Sequence, residues 1–182
     1  MIIPEHLLRN GITEGMFMSA RLCGRPLDGI TFSQPPMGEP PAAMFAGLDL
    51  GQAQDFTALV ICERTMKADP AKGMRQEPHL AVRHIHRWQL GTPYPAIVAD
   101  VKELYANPPL QRTTLAIDRT GVGRAVVDQF VAADIRAAIH PWTITFGQGS
   151  VAGHSVAKIE LVGAVQTLLG TKRLKIAPSL PL

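Results

Sequence analysis

The sequence predicts an α/β domain built on a mixed β-sheet, and three observations predict it. From Met44 onward, three β-type runs follow one another through connections of hairpin length. Helical and extended patterns then alternate, as the crossover units of a parallel sheet require. No helix fits between Gly51 and Thr57, where a dinucleotide-binding sheet would place its first crossover.

Phe45–Leu50 is a short apolar run that carries one acid, Asp49. Thr57–Glu63 (TALVICE) is rich in β-formers and reads as a buried strand. A polar stretch with Lys67, Asp69, Pro70, Lys72, Gly73 and Arg75 reads as a loop, and His79–Gln89 alternates as a half-exposed third strand. Tyr94–Tyr105 places Ile97, Val98, Val101 and Leu104 at helical spacing, with Pro93 and Pro95 near its start. Thr113–Asp118 is a fourth strand ending in an acid, Val122–Ala133 a helix and Ala137–Ile144 a fifth strand. Val156–Leu169 reads as an amphipathic helix, and Leu174–Ile176 begins another extended piece. An antiparallel meander followed by parallel units fits an RNase H-like fold: a mixed sheet flanked by helices.

The segment before Met44 differs in character. Residues 1–25 allow a short helix at Glu5–Asn10 or at Glu14–Leu22, interrupted by Gly11 and Gly15. In residues 26–43, Pro26, Pro35, Pro36, Pro40 and Pro41 remove ladder donors, so residues 1–43 are expected to be an N-terminal extension and proline-rich linker. Residues 44–182 are then the domain itself. With 182 residues and 46% hydrophobic composition, there is material for one core. Charged residues are only 18%, which points to apolar surface that a partner covers. A net charge of +3 suits a polyanionic partner, although without a dense Lys/Arg run it is equally ordinary scatter. Cys23 and Cys62 are far apart with no CxxC spacing, so neither a zinc cluster nor a disulfide framework is suggested; Cys62 is expected buried in its strand. No secretory signal or membrane-length apolar run is present, so the expected compartment is the cytosol.

Two acids carry the chemical signal. Asp49 lies in GLDLG (47–51) and Asp118 in AIDRTGVG (116–123), each at the end of a run that is otherwise apolar. A buried carboxylate is costly unless it is paired, hydrogen-bonded or bound to a cation. Two of them ending neighbouring strands would repel unless a cation lay between them, and hard oxygen ligands without His or Cys select Mg²⁺ or Mn²⁺. The plain readings are a turn-forming Asp49 before Gly51 and a capping Asp118 ahead of the following helix. Gly121 and Gly123 make a tight turn that lets backbone N–H groups approach a phosphate, or that merely joins strand to helix. Asp55 and Lys158 are further substrate-binding candidates, against the commoner fates of a turn-capping Asp and a solvated Lys. The histidines have no ligand-like spacing, and no phosphate loop, nucleophile elbow or HExxH motif occurs.

Three blocks together resemble the C-terminal nuclease domain of large terminases, the DNA-packaging motors of tailed bacteriophages and prophages. They are GLDLGQAQDFTALVI (47–61), LAIDRTGVGRAVVDQF (115–130) and VAKIELVGAVQTLLGTKRLKIAP (156–178). The resemblance implies an RNase H-like fold cutting double-stranded DNA with two divalent metals held by three acids, Asp49 matching the first and Asp118 the second. It implies a portal and a small terminase subunit as partners. It places the third acid on a later helix, beyond Leu182, so the fold is expected to be incomplete at its C-terminus and catalysis is left open. Two other readings stand beside it. One is a non-enzymatic prophage remnant or interaction module. The other is an ATP-binding domain of the actin and sugar-kinase type, with GLDLG and DRTGVG as phosphate loops, for which Asp49 and Asp118 are too close in sequence.

Overall fold

The computed structural model describes residues 42–51, 54–121, 124–178 and 180. The expected N-terminal helices and most of the proline-rich linker, residues 1–41, lie outside that set, as do Cys23 and Gly123.

The chain forms β1 (Ala43–Asp49), β2 (Ala58–Asp69), β3 (Arg75–Arg87), α1 (Tyr94–Tyr105), β4 (Thr114–Asp118), α2 (Arg124–Ala132), β5 (Ala138–Thr145), β6 (Ser155–Ala157), α3 (Lys158–Gly170) and β7 (Leu174–Ile176). One seven-stranded sheet takes the order β6-β5-β4-β1-β2-β3-β7. β1, β2 and β3 pair antiparallel, whereas β1–β4, β4–β5, β5–β6 and β3–β7 pair parallel. This is the mixed, helix-flanked sheet of an RNase H-like fold, with the meander in the middle and crossover strands on its flanks.

Side-chain alternation divides the sheet into two unlike faces. Met44, Ala46 and Leu48 of β1, Leu59 and Ile61 of β2, and Leu115 and Ile117 of β4 point to one face and are buried. α1 covers that face with Ile97, Val98, Val101 and Tyr105, and α2 with Val126, Val127 and Phe130. Tyr105, Phe130, Leu59, Ile97, Leu110, Leu115, Ile117 and Val101 are the largest fully buried side chains, each worth about 1.5–3 kcal/mol of transfer for a residue of Leu or Phe size. Polar groups within this layer are tied down. The Trp88 indole Nε1 donates to Asp100 Oδ2 at 2.7 Å, fastening the end of β3 to α1, and the Tyr105 hydroxyl donates to the Thr114 carbonyl at 3.1 Å. Arg83 Nε donates to Glu63 Oε2 at 2.6 Å, beside a register shift at Ile61/Cys62.

Several expectations are corrected. The stretch 67–75 is not a loop: β2 runs on to Asp69 and β3 starts at Arg75, with Lys67 opposite Glu77 and Asp69 opposite Arg75. Opposite charges facing one another support this ladder without burial, and a short 3₁₀ turn at Pro70–Lys72 followed by left-handed Gly73 closes it. A short strand, β6, precedes α3 and has too few residues to show a period. The amphipathic helix expected at Val156–Leu169 starts at Lys158, with Val156 and Ala157 in β6, and none of its residues is buried. It leads from β6 at one sheet edge to β7 at the other, and the second sheet face near it carries the small residues Gly47, Ala58 and Ala116, so a cleft remains between them. Cys62 is half-buried, not fully buried, and burial pushes its thiol up from the usual value. Among the described residues no helix is long and apolar enough to cross a membrane.

Candidate functional site

The register of the sheet brings the two strand-ending acids together. β1 and β4 run parallel, and Asp49 is the pairing partner of Asp118. Adjacent strands lie about 4.8 Å apart, and both side chains line the same cleft on the second face, opposite the helical core. The row continues on both sides. Trp142 of β5 pairs with Asp118, Ala58 of β2 pairs with Asp49, and Arg87 of β3 pairs with Ala58. The carboxyl ends of β1, β3, β4, β5 and β6 therefore share one edge of the sheet.

The cleft has a volume of about 630 Å³. Gly47, Ala58, Val60 and Ala116 form its floor, and Trp142, Ile144, Val156 and Leu161 its wall. Two carboxylates thus sit at the margin of an otherwise apolar cavity. Burial raises the Asp49 carboxyl above its usual value, and the negative charges of Asp118 and then Asp55 raise it further. A fixed cation there would reverse that effect.

Asp118 is held by local chemistry. Its Oδ1 accepts from the Thr120 backbone N–H at 2.8 Å, an Asx turn, so the side chain organises the turn after β4. Thr120 Oγ1 in turn accepts from the Ile144 N–H at 2.8 Å, and the Arg119 N–H donates to the Trp142 carbonyl at 2.9 Å, locking the loop after β4 to β5. Gly121 sits at φ 83°, a left-handed position that a side chain would strain.

Asp55 reaches the acids by a different route. A Cβ placed on Gly51 would lie 2.2 Å from the Asp55 carbonyl oxygen, so the connection folds directly onto this glycine. Thr57 Oγ1 accepts from the Gly51 N–H at 3.1 Å, and the Tyr94 hydroxyl donates to the Gly51 carbonyl at 2.9 Å, anchoring the same point. Asp55 is close enough to act electrostatically on Asp49. Even so, among the described residues no group of three or more His, Cys, Asp or Glu side chains is arranged to hold a metal ion. Lys158 is the exposed first residue of α3, on the same edge, with its ammonium 5.6 Å from the Phe146 ring centroid. Asp128 is on α2, exposed and 3.8 Å from Arg124, away from the pair.

Trp142, Phe56, Phe146 and Arg87 were not singled out from the sequence. Arg87 ends β3, Phe56 and Phe146 lie just outside strands, and Trp142 sits within β5; as single residues they leave no periodic trace.

No protein-family model matches the chain, and no curated protein matches it. Among solved structures it is similar to the HK97 bacteriophage large terminase, at 18% identity and a TM-score of 0.46. The match covers 82% of this chain and 32% of that terminase.

Proposed function

We infer that the chain carries part of a divalent-cation site for phosphodiester hydrolysis, within a nuclease-type domain of phage DNA packaging. The observation that carries the reading is the register pairing of Asp49 with Asp118 at the carboxyl ends of adjacent parallel strands. The raised Asp49 carboxyl supports it, because like charges placed side by side favour binding a cation. The three sequence blocks resembling large terminases add DNA as the substrate, with a portal and a small terminase subunit as partners. Mg²⁺ or Mn²⁺ suits an all-carboxylate donor set. Asp49 and Asp118 would hold the ion.

Within this reading each group has a task. The ion, when bound, supplies charge neutralisation at the phosphate and an activated water. Asp49 reaches in from the central strand and Asp118 from its neighbour, with one oxygen of Asp118 already committed to Thr120. The Asx turn fixes the rotamer of Asp118 before any ligand arrives, which lowers the ordering cost of binding. Asp55 adds negative charge nearby, and the turn at Gly121 presents backbone toward an approaching phosphate. Backbone contacts of this type carry little sequence preference.

Mn²⁺ titration of the chain, followed by electron paramagnetic resonance, tests the reading. Binding should be weak, in the millimolar to high-micromolar range, and lost in Asp49→Asn and in Asp118→Asn. Binding that persists in both variants would remove the site.

A second reading has its own observation. With no third ligand arranged among the described residues, the domain is also suited to act as a binding module without cleavage. A plasmid-nicking assay with Mn²⁺ separates the two: nicking that Asp118→Asn abolishes supports the nuclease, and Mn²⁺ binding without nicking supports the module.

A further inference from the structure

Among the described residues, three aromatic side chains outside the core, Phe56, Trp142 and Phe146, lie near the strand ends that carry Asp49 and Asp118. Phe56, in the β1–β2 connection, is 42% exposed, and Phe146, directly after β5, is 94% exposed. Trp142 is the register neighbour of Asp118 and forms part of the cleft wall. Each has a basic or imidazole side chain beside it. The Arg87 guanidinium lies 4.3 Å over the Phe56 ring, the Lys158 ammonium 5.6 Å from the Phe146 ring, and the His154 ring 5.8 Å from Trp142.

Aromatic faces alternating with cations along a groove are the means by which single-stranded nucleic acid is held: bases stack on the rings and phosphates meet the cations. A duplex keeps its bases stacked on one another and offers phosphates and groove edges, which leaves exposed ring faces without a partner. The floor beside Trp142 is built of Gly47, Ala58 and Ala116, so the cleft has room for a flat ring. Its volume, about 630 Å³, falls within the range of small-ligand pockets. From Trp142 to Arg87 the row crosses five strands. At about 4.8 Å per step that is on the order of 19 Å, a span a few nucleotides cover.

We propose that this edge is a track for single-stranded nucleic acid, with Phe56, Trp142 and Phe146 as stacking platforms and Arg87 and Lys158 as phosphate contacts. The inference deepens the nuclease reading and takes from it only the identity of the polymer; it narrows the double-stranded DNA that the resemblance implies to a stretch whose strands are parted where it passes the two acids.

The test is an intrinsic-fluorescence titration of the whole chain, in EDTA, with an oligothymidylate of about 12 nucleotides and with a duplex of the same length. The chain has two tryptophans, and Trp88 is 5% exposed and bonded to Asp100, so it reports the fold while Trp142 reports stacking. The single strand should quench Trp142 and bind about tenfold or more tighter than the duplex. Phe146→Ala, at a side chain too exposed to affect folding, and Trp142→Ala should each weaken binding about fivefold or more, read for both variants by the anisotropy of a fluorescein-labelled oligothymidylate. Equal affinity for duplex and single strand, or Phe146→Ala and Trp142→Ala variants that bind as the parent does, would overturn the track. Because no metal is present, a failed Mn²⁺ titration leaves this result standing, and a failed quench leaves the metal reading standing.

Discussion

Asp49 faces Asp118 across a parallel strand pair, which sets a second carboxylate beside a partly buried one. The Asp49 carboxyl is raised by burial and by both neighbouring acids. A carboxyl whose folded value lies above its unfolded one adds stability below the unfolded value and loses it as pH rises through the folded value. The metal-free chain should therefore lose stability as pH climbs from the usual carboxylate range through the raised Asp49 value. Asp49→Asn should remove that component and raise the Tm at neutral pH without metal. Thermal unfolding from about pH 4 to pH 7 in EDTA checks this, and a lower Tm for Asp49→Asn would contradict it.

Gly51 should tolerate no side chain. Gly51→Ala puts a Cβ into the Asp55 backbone, and overpacking of this kind costs about 1–3 kcal/mol. The displaced connection moves Asp55 away from Asp49, so Mn²⁺ affinity should fall along with stability. Urea denaturation and the Mn²⁺ titration report the two effects separately.

Arg83→Ala should be among the more damaging changes outside the apolar core. Glu63 is 2% exposed and accepts from Arg83. Removing Arg83 takes a partner from the buried Glu63 carboxylate, which costs about 1–3 kcal/mol. Arg83→Met with Glu63→Leu should recover much of that loss, since an apolar pair carries no desolvation penalty. Urea midpoints of the single and double variants decide the matter.

The helices differ sharply in what they contribute. Phe130→Ala on α2 removes a fully buried ring and should cost about 3–5 kcal/mol. Ile159→Glu on α3, at a residue 78% exposed, should change stability by no more than about 0.5 kcal/mol. A large loss at Ile159 would mean that α3 is packed against something in solution.

These contrasts explain what the sequence made legible. α1 was placed at Tyr94–Tyr105 with both ends correct because Ile97, Val98 and Val101 do bury one stripe against the sheet, and Pro93 marks the entry. Asp49 and Asp118 were readable as a pair because each interrupts an apolar strand at its end. The β2–β3 arm from Lys67 to Arg75 was read as loop because it buries little, and a strand held by cross-strand charge pairs has no apolar alternation to detect. α3 shows the converse: its apolar spacing says which side would pack, but says nothing of whether the opposing surface fills the gap. Asp55 approaches Asp49 only through the folding of its connection onto Gly51, a three-dimensional event with no periodic trace.

Among the described residues the seven-stranded sheet ends on both sides in strands of three residues, β6 and β7. Unpaired backbone at a long edge invites another chain to add a strand, and truncated borders blunt that invitation. Lys175 on β7 adds a charge at one border. Aggregation by lateral growth is thereby disfavoured, and self-association at high concentration should instead proceed through the apolar side chains of α3. Detergent or an apolar-to-charged change on α3 should then disperse such oligomers, whereas a proline placed in β7 should not.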